Sequence, residues 1–218
     1  AKTFTRIGKD IVMAVKDGGP DPINNSRLRA VIQNAKAANM PKDNVERAIK
    51  KASDKSTENY KEILFEGYGP HGVAILVETT SNNNNRTVAN IRSYFNKANG
   101  NLGTSGSVEF MFERTCNFRL DKNIFDPEEL ELEFIDHGVE EVFIDEDGIL
   151  LYGPFENYGK IQKELENRNI EILSSGFERI PTSIKKIKKE EQEEVEKLIE
   201  NIEEDDDVQN VYHSMNLS

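Results

Sequence analysis

The spacing of the apolar residues changes character once along this chain, and that change limits the architectures open to it. Up to residue 58 hydrophobic side chains recur every three or four positions, the spacing of one helix face. Beyond residue 60 short strand-like runs take turns with helical stretches, the pattern of mixed α+β lobes. Phe4, Ile7, Ile11 and Val15 predict a helix over 3–17, closed by Gly18-Gly19-Pro20. Asp21-Pro22 is turn chemistry, after which Leu28, Val31, Ile32 and Ala35 mark a second helix. Pro41 suits the first turn of a third helix, which carries Val45, Ala48, Ile49 and Ala52 inward.

Residues 62–68 and 73–79 read as strands joined by Gly69-Pro70-His71-Gly72. A helix with Val88, Ile91, Phe95 and Ala98 on one face follows, with Gly100 at its C′ position, and Val108 to Phe112 reads as another strand. From 116 to 180 the order is strand, helix, strand, strand, helix, strand, the split βαβ order of ferredoxin-like folds. Within it Asp126-Pro127-Glu128-Glu129 is a helix start, Gly138 a helix stop and Asp145-Glu146-Asp147-Gly148 a hairpin turn. A last helix (Val195, Leu198, Ile199, Ile202) and a last strand (Val208 to His213) have no sheet of their own, so they return to complete the lobe begun at 62. The expected class is α+β multidomain: an N-terminal three-helix domain plus two ferredoxin-like α+β domains, the third inserted in the second. The boundaries expected are 1–58, 59–113 with 182–218, and 114–181.

Charge separates the same segments. The chain of 218 residues holds 28 Lys and Arg against 40 Asp and Glu, a formal −12. Residues 1–58 hold 12 of those bases and 7 of the acids, a net +5, which leaves −17 for the remainder. Such asymmetry points to a polyanion partner for the basic part, since phosphates respond to the field within about 10 Å rather than to total charge. Arg47, Lys50 and Lys51 lie three and four residues apart and form one cationic patch. A lysine-rich helix face also suits simple solvation. The run from Glu190 to Asp207 keeps an apolar stripe and reads as a solvated acidic outer face.

Motifs for chemistry are mostly absent. Gly67 to Gly72 matches G-x-G-x-x-G in letters, but a strand follows where the dinucleotide fingerprint needs a helix, so a tight hairpin fits better. His71, His137, His213 and Cys116 have no metal-ligand spacing, and no P-loop or nucleophile elbow occurs, so neither metal, cofactor nor catalytic residues are expected. One cysteine excludes an internal disulfide framework, and no apolar run reaches membrane-spanning length. The composition reads as a soluble, cytoplasmic, globular protein. In residues 99–107 glycines among small polar residues leave backbone N–H groups free. Gly100, Asn101, Gly103, Thr104, Ser105 and Gly106 form a candidate anion-binding loop, although the same composition suits a plain connector.

Five stretches carry a family resemblance: Arg27-Leu-Arg-Ala, Asn39-Met-Pro-Lys-Asp-Asn-Val-Glu-Arg-Ala-Ile49, Glu66 to Ala74, Asn85-Arg-Thr-Val88 and Gly100 to Val108. Together, and in this order, they resemble the YebC/PmpR family, which includes the mitochondrial translational activator of cytochrome c oxidase. The resemblance implies a helical N-terminal domain, two α+β domains and a non-enzymatic regulator of gene expression. The leading expectation is a DNA-binding transcriptional regulator. The alternative is a ribosome-associated translation factor that binds rRNA and relieves stalling at proline runs. Phosphate contacts are expected from Arg27, Arg29, Lys36, Lys42, Arg47, Lys50 and Lys51, extended by Lys2, Arg6 and Lys9. In the rRNA reading, the loop over 100–107 reaches the RNA.

Overall fold

In the computed structural model, which describes residues 2–123 and 126–217, the amino-terminal periodicity becomes helices α1 (Lys2–Gly18), α2 (Ser26–Ala37) and α3 (Lys42–Lys51). Gly19, in the left-handed region at φ +92°, ends α1 with its N–H on the Val15 carbonyl at 2.7 Å. Asn25 caps α2 by accepting from the Leu28 N–H at 3.0 Å. Its amide also donates to the carbonyls of Ala14 and Gly19, both at 2.8 Å, which fixes the turn between the two helices. Pro41 stands at the N-cap of α3, one residue ahead of the first turn expected for it.

Contacts gather the chain into two units. The first contains Ala1–Lys9, Ser53–Glu113 and Ile180–Ser218; the second contains Asp10–Ala52 and Arg114–Arg179. By this grouping the helices over 10–52 fall with 114–179 rather than forming a unit of their own.

The first unit is built on an antiparallel sheet of β1 (Lys61–Tyr68), β2 (Ala74–Ser81), β3 (Asn101–Leu102) and β8 (Val208–His213), in the order β3-β1-β2-β8. Helices α4 (Asn84–Lys97) and α7 (Lys189–Glu203) pack on one face, with Ile75, Val77, Ile91, Phe95, Val195 and Leu198 between them. The other face, with Ala74 and Leu76, is covered by Val108 and Phe112 from the segment after β3. Strand β2 is therefore buried on both faces, which is why its first half, Ala74 to Val77, is continuously apolar rather than alternating. The strand order differs from the ferredoxin arrangement because β1 and β2 form a direct hairpin across Pro70–Gly72, with no helix between them.

Two local expectations need correction in this unit. Val108 to Phe112 is not a strand: Glu109–Met111 forms a 3-10 turn, and β4 (Phe112–Leu120) starts after it. Gly100 is not the C′ residue of α4. Asn99 takes the left-handed position at φ 60°, while the Gly100 N–H reaches the Phe95 carbonyl at 2.8 Å, a Schellman closure. Glycine is required at 100 for another reason: a Cβ there would lie 2.5 Å from the Tyr68 carbonyl oxygen.

In the second unit the split βαβ order appears as β4, α5 (Pro127–Phe134), β5 (Glu141–Asp145), β6 (Gly148–Pro154), α6 (Tyr158–Asn167) and β7 (Ser174–Pro181). The strands line up β5-β6-β4-β7, the ferredoxin-like order. Asp126 caps α5 through the Glu128 N–H at 3.1 Å. Phe118, Leu120, Leu130, Phe134, Ile149 and Leu151 lie at the centre of the core. Helix α2 rests on this lobe through polar contacts: Asn34 exchanges two 2.8 Å hydrogen bonds with the Ser175 backbone, and Gln162 donates to the Ser26 carbonyl at 3.1 Å.

Cys116 lies in the same core with no exposed surface, and burial pushes its thiol up to about 11. The folded protein is expected to resist thiol-specific reagents at about pH 8, where a free thiol reacts readily. Full reaction should follow denaturation. A native-state labelling rate equal to that of the unfolded chain would contradict the placement.

Candidate nucleic-acid interface

Of the ten cations expected to meet phosphate, four reach carboxylates or carbonyls far along the chain. Lys2 meets the Glu204 carbonyl and lies 3.3 Å from the Asp206 carboxylate. Arg6 donates to the Glu203 carbonyl at 2.6 Å. Lys9 donates to the carbonyls of Thr80 (3.0 Å) and Asp206, with Asp207 at 3.9 Å. Arg29 is clamped by Glu166, at 2.8 Å from Nε and 3.1 Å from Nη2, while Nη1 donates to the Pro22 and Ile23 carbonyls. These four side chains bond within their own units, and Lys2 stays exposed while doing so.

The remaining residues present charge outward. Arg27 faces Asp17 across a loose 3.8 Å pair, a geometry that contributes little in water. Lys36, at the end of α2, and Lys42, Arg47, Lys50 and Lys51, along α3, are all exposed. Arg47 donates to the Asp43 carbonyl at 3.3 Å and to Asn44 Oδ1, and it lines a shallow open depression with Asp43, Glu46 and Lys50. Four bases against Asp43 and Glu46 leave α3 net positive. Lys50 and Lys51 sit in its last turn, where the helix dipole favours cations.

The candidate anion loop has already found its anion. Glu66 on β1 points into the face of the sheet that this loop covers and is 2% exposed. Its carboxylate accepts the N–H groups of Gly106 (2.7 Å), Val108 (2.9 Å) and Glu109 (2.6 Å). Gly106 reaches it from the left-handed region, φ +88°. The Gly103 N–H goes to the Glu66 carbonyl at 2.8 Å, the Gly100 N–H closes α4, and Asn101 pairs with Tyr68 in β3. Thr104 and Ser105 remain exposed at the tip. Glu66 thus clasps the end of this loop to the sheet and occupies the amide of Gly106 among the candidate anion-binding residues.

A second buried carboxylate was read in the sequence as part of a solvated run. Asp207, 4% exposed, receives Arg86 in a bidentate pair (2.7 and 3.1 Å) and the Thr87 hydroxyl (2.9 Å). Burial pushes its pKa up, but these hydrogen bonds and the charges of Arg86 and Lys9 outweigh it, leaving the carboxyl below its ordinary range. Neighbouring Asp205 accepts from the Tyr94 hydroxyl at 2.7 Å, and burial plus that bond hold the phenol up at about 12. A sequence signal existed: Lys2, Arg6 and Lys9 share one face of α1, and a matching acidic run stands in the same chain.

Compared with known proteins, residues 1–55 match the TACO1/YebC protein N-terminal domain, and residues 60–215 match the TACO1/YebC second and third domain. A "probable transcriptional regulatory protein" of Flavobacterium johnsoniae is 75% identical over 99% of this chain and 91% of its own length. A protein of the same description from Parabacteroides distasonis is 56% identical over 99% of this chain and 89% of its own. Among solved structures, a conserved hypothetical protein from Aquifex aeolicus superposes with a TM-score of 0.83 at 37% identity, covering 99% of this chain and 89% of that one.

Proposed function

The chain belongs to the TACO1/YebC family, and from that membership we propose that it is a regulator of gene expression that binds nucleic acid in the cytoplasm, DNA first, without catalysis. The relatives' description as transcriptional regulators supports the regulatory role. The observation that carries the binding is the exposure of Lys36 on α2 and of Lys42, Arg47, Lys50 and Lys51 on α3. In this reading segment 1–58 is the binding domain. The lobes 59–113 with 182–218 and 114–181 are an acidic scaffold that repels phosphate and confines binding to the helices. Phosphate contacts of this kind position a protein on the duplex without reading its sequence, so weak sequence preference is expected.

If about four of these cations engage, log K on duplex DNA falls with log salt at a slope of about −3.6. Reversing Lys50 and Lys51 to Glu should remove two contacts and flatten the slope by about 1.8. Lys2→Gln should leave it unchanged. A dissociation constant indifferent to salt would remove this reading. Quantifying DNA against rRNA that co-purifies with the protein decides which polyanion is the physiological one.

A further inference from the structure

Among the described residues no strand pairs with the outer side of β5, the terminal strand of the second unit's sheet. Strand β5 pairs with β6 from Glu141↔Tyr152 to Asp145↔Gly148 and ends the strand order, so its outer edge offers a row of backbone donors and acceptors. Apolar side chains stand exposed around that edge: Phe143 at 49% and Ile144 at 59% on the strand, Leu132 at 73% on the packed helix α5, and Ile135 at 61% just after it. Proteins blunt such edges with lysine, proline or a bulge, and β5 contains neither of those residues.

Acid surrounds it instead. From Asp126 to Gly148 the chain carries eleven carboxylates and no lysine or arginine. Arg119 and Arg168, from outside this segment, hold Asp145 and Glu133. Glu141, Glu146 and Asp147 remain exposed at the two ends of the strand. This charge repels a second copy of the same edge, a nucleic acid and an anionic membrane alike. It attracts an extended cationic chain.

We propose that β5 is a docking strand for a lysine- or arginine-rich extended segment of a partner protein, which joins the sheet as a fifth strand. Backbone pairing supplies affinity in such strand addition, and alternate side chains supply specificity. Along β5, Glu141, Phe143 and Asp145 share one face, while Val142 and Ile144 share the other, toward α5. An incoming strand therefore fits when a cation faces the exposed Glu141 and apolar residues meet Ile144. This inference is independent of the polyanion reading above, since it uses a different lobe and a partner of opposite charge.

The test uses the full chain and a fluorescein-labelled peptide of about ten alternating Lys and Val residues, the length of a long strand. Anisotropy should show salt-sensitive binding. A peptide with two valines replaced by proline should bind about tenfold more weakly or worse, because it cannot pair. An alternating Glu and Val peptide should not bind. On the chain, Glu141→Lys with Glu146→Lys should weaken binding by about tenfold. Bound peptide should slow backbone hydrogen exchange across Val142 to Ile144. Equal binding of the proline peptide, indifference to the charge reversals, or protection confined to residues outside β5 would each overturn the proposal. The peptide controls hold even if a chain variant misfolds.

Discussion

Glu66→Ala is expected to destabilise the first unit by about 3 kcal/mol, although it removes a single side chain from a sheet that keeps all its strands. The carboxylate accepts three backbone N–H groups, and the Val108 N–H among them is buried. A buried donor left without an acceptor costs about 1–3 kcal/mol, more where the lost partner was charged. The Gly106 and Glu109 amides are partly exposed and can turn to water, which holds the total near one full penalty and two partial ones. With the clasp open, the cover that Val108 and Phe112 provide over Ala74 and Leu76 loosens as well. Glu66→Gln keeps the shape and one acceptor oxygen but turns an amide donor toward N–H groups, so about 1–2 kcal/mol is expected. Thermal unfolding followed by circular dichroism should show the alanine variant lower in Tm by on the order of 10 °C. Hydrogen exchange should accelerate at Gly106, Val108 and Glu109. Parent-like stability in both variants would show that the clasp contributes nothing.

The helices of 1–52 and the ferredoxin-like lobe were legible because their signals are local. Apolar spacing, the Asp126-Pro127 start, the Gly138 stop and the Asp145 to Gly148 turn each act within a few residues of themselves. Glu66 was not legible. In a strand reading Glu-Ile-Leu-Phe-Glu-Gly-Tyr a glutamate at an alternate position normally faces water, and the amides that bury it arrive 40 or more residues later. The internal partners of four of the cations were hidden for the same reason. Arg29 looks like its neighbours on α2, but its carboxylate partner stands 137 residues away, a pairing no helical spacing encodes. Helix ends show a signal that the glycine rule obscured. Asn39, Asn99 and Asn169 each take a left-handed conformation one residue past a helix cap, and each is followed by an N–H that closes the helix. Asparagine is the second choice for that position, so the three boundaries were readable to within a residue.

Asp207→Ala is expected to cost about 3 kcal/mol at neutral pH, the lower end of the range for removing one partner of a buried charge pair. The lower end applies because Arg86, with its side chain 47% exposed, can recover water, whereas Lys9 at 14% cannot easily do so. Lys9 is already held below the usual lysine range by burial, against the opposing pull of Asp207 and Asp206, and loses its buried carboxylate neighbour in the variant. The pH dependence follows from the direction of the Asp207 shift. A carboxyl whose folded pKa lies below its unfolded value, about 3.9, stabilises the fold at all higher pH and loses that contribution as pH falls through the folded value. Urea denaturation should therefore separate parent and alanine variant fully at about pH 7, and the gap should close progressively below about pH 4. Asp207→Asn, with its one amide oxygen in the place of Oδ2, still accepts from the Thr87 hydroxyl and Arg86 Nε, so it should fall between the two. Lys9→Met combined with Asp207→Ala should be less destabilised than the sum of the single variants, because the lysine no longer sits buried without its carboxylate. An additive double variant, or a gap that persists unchanged at about pH 3, would show that Asp207 stabilises through packing rather than charge.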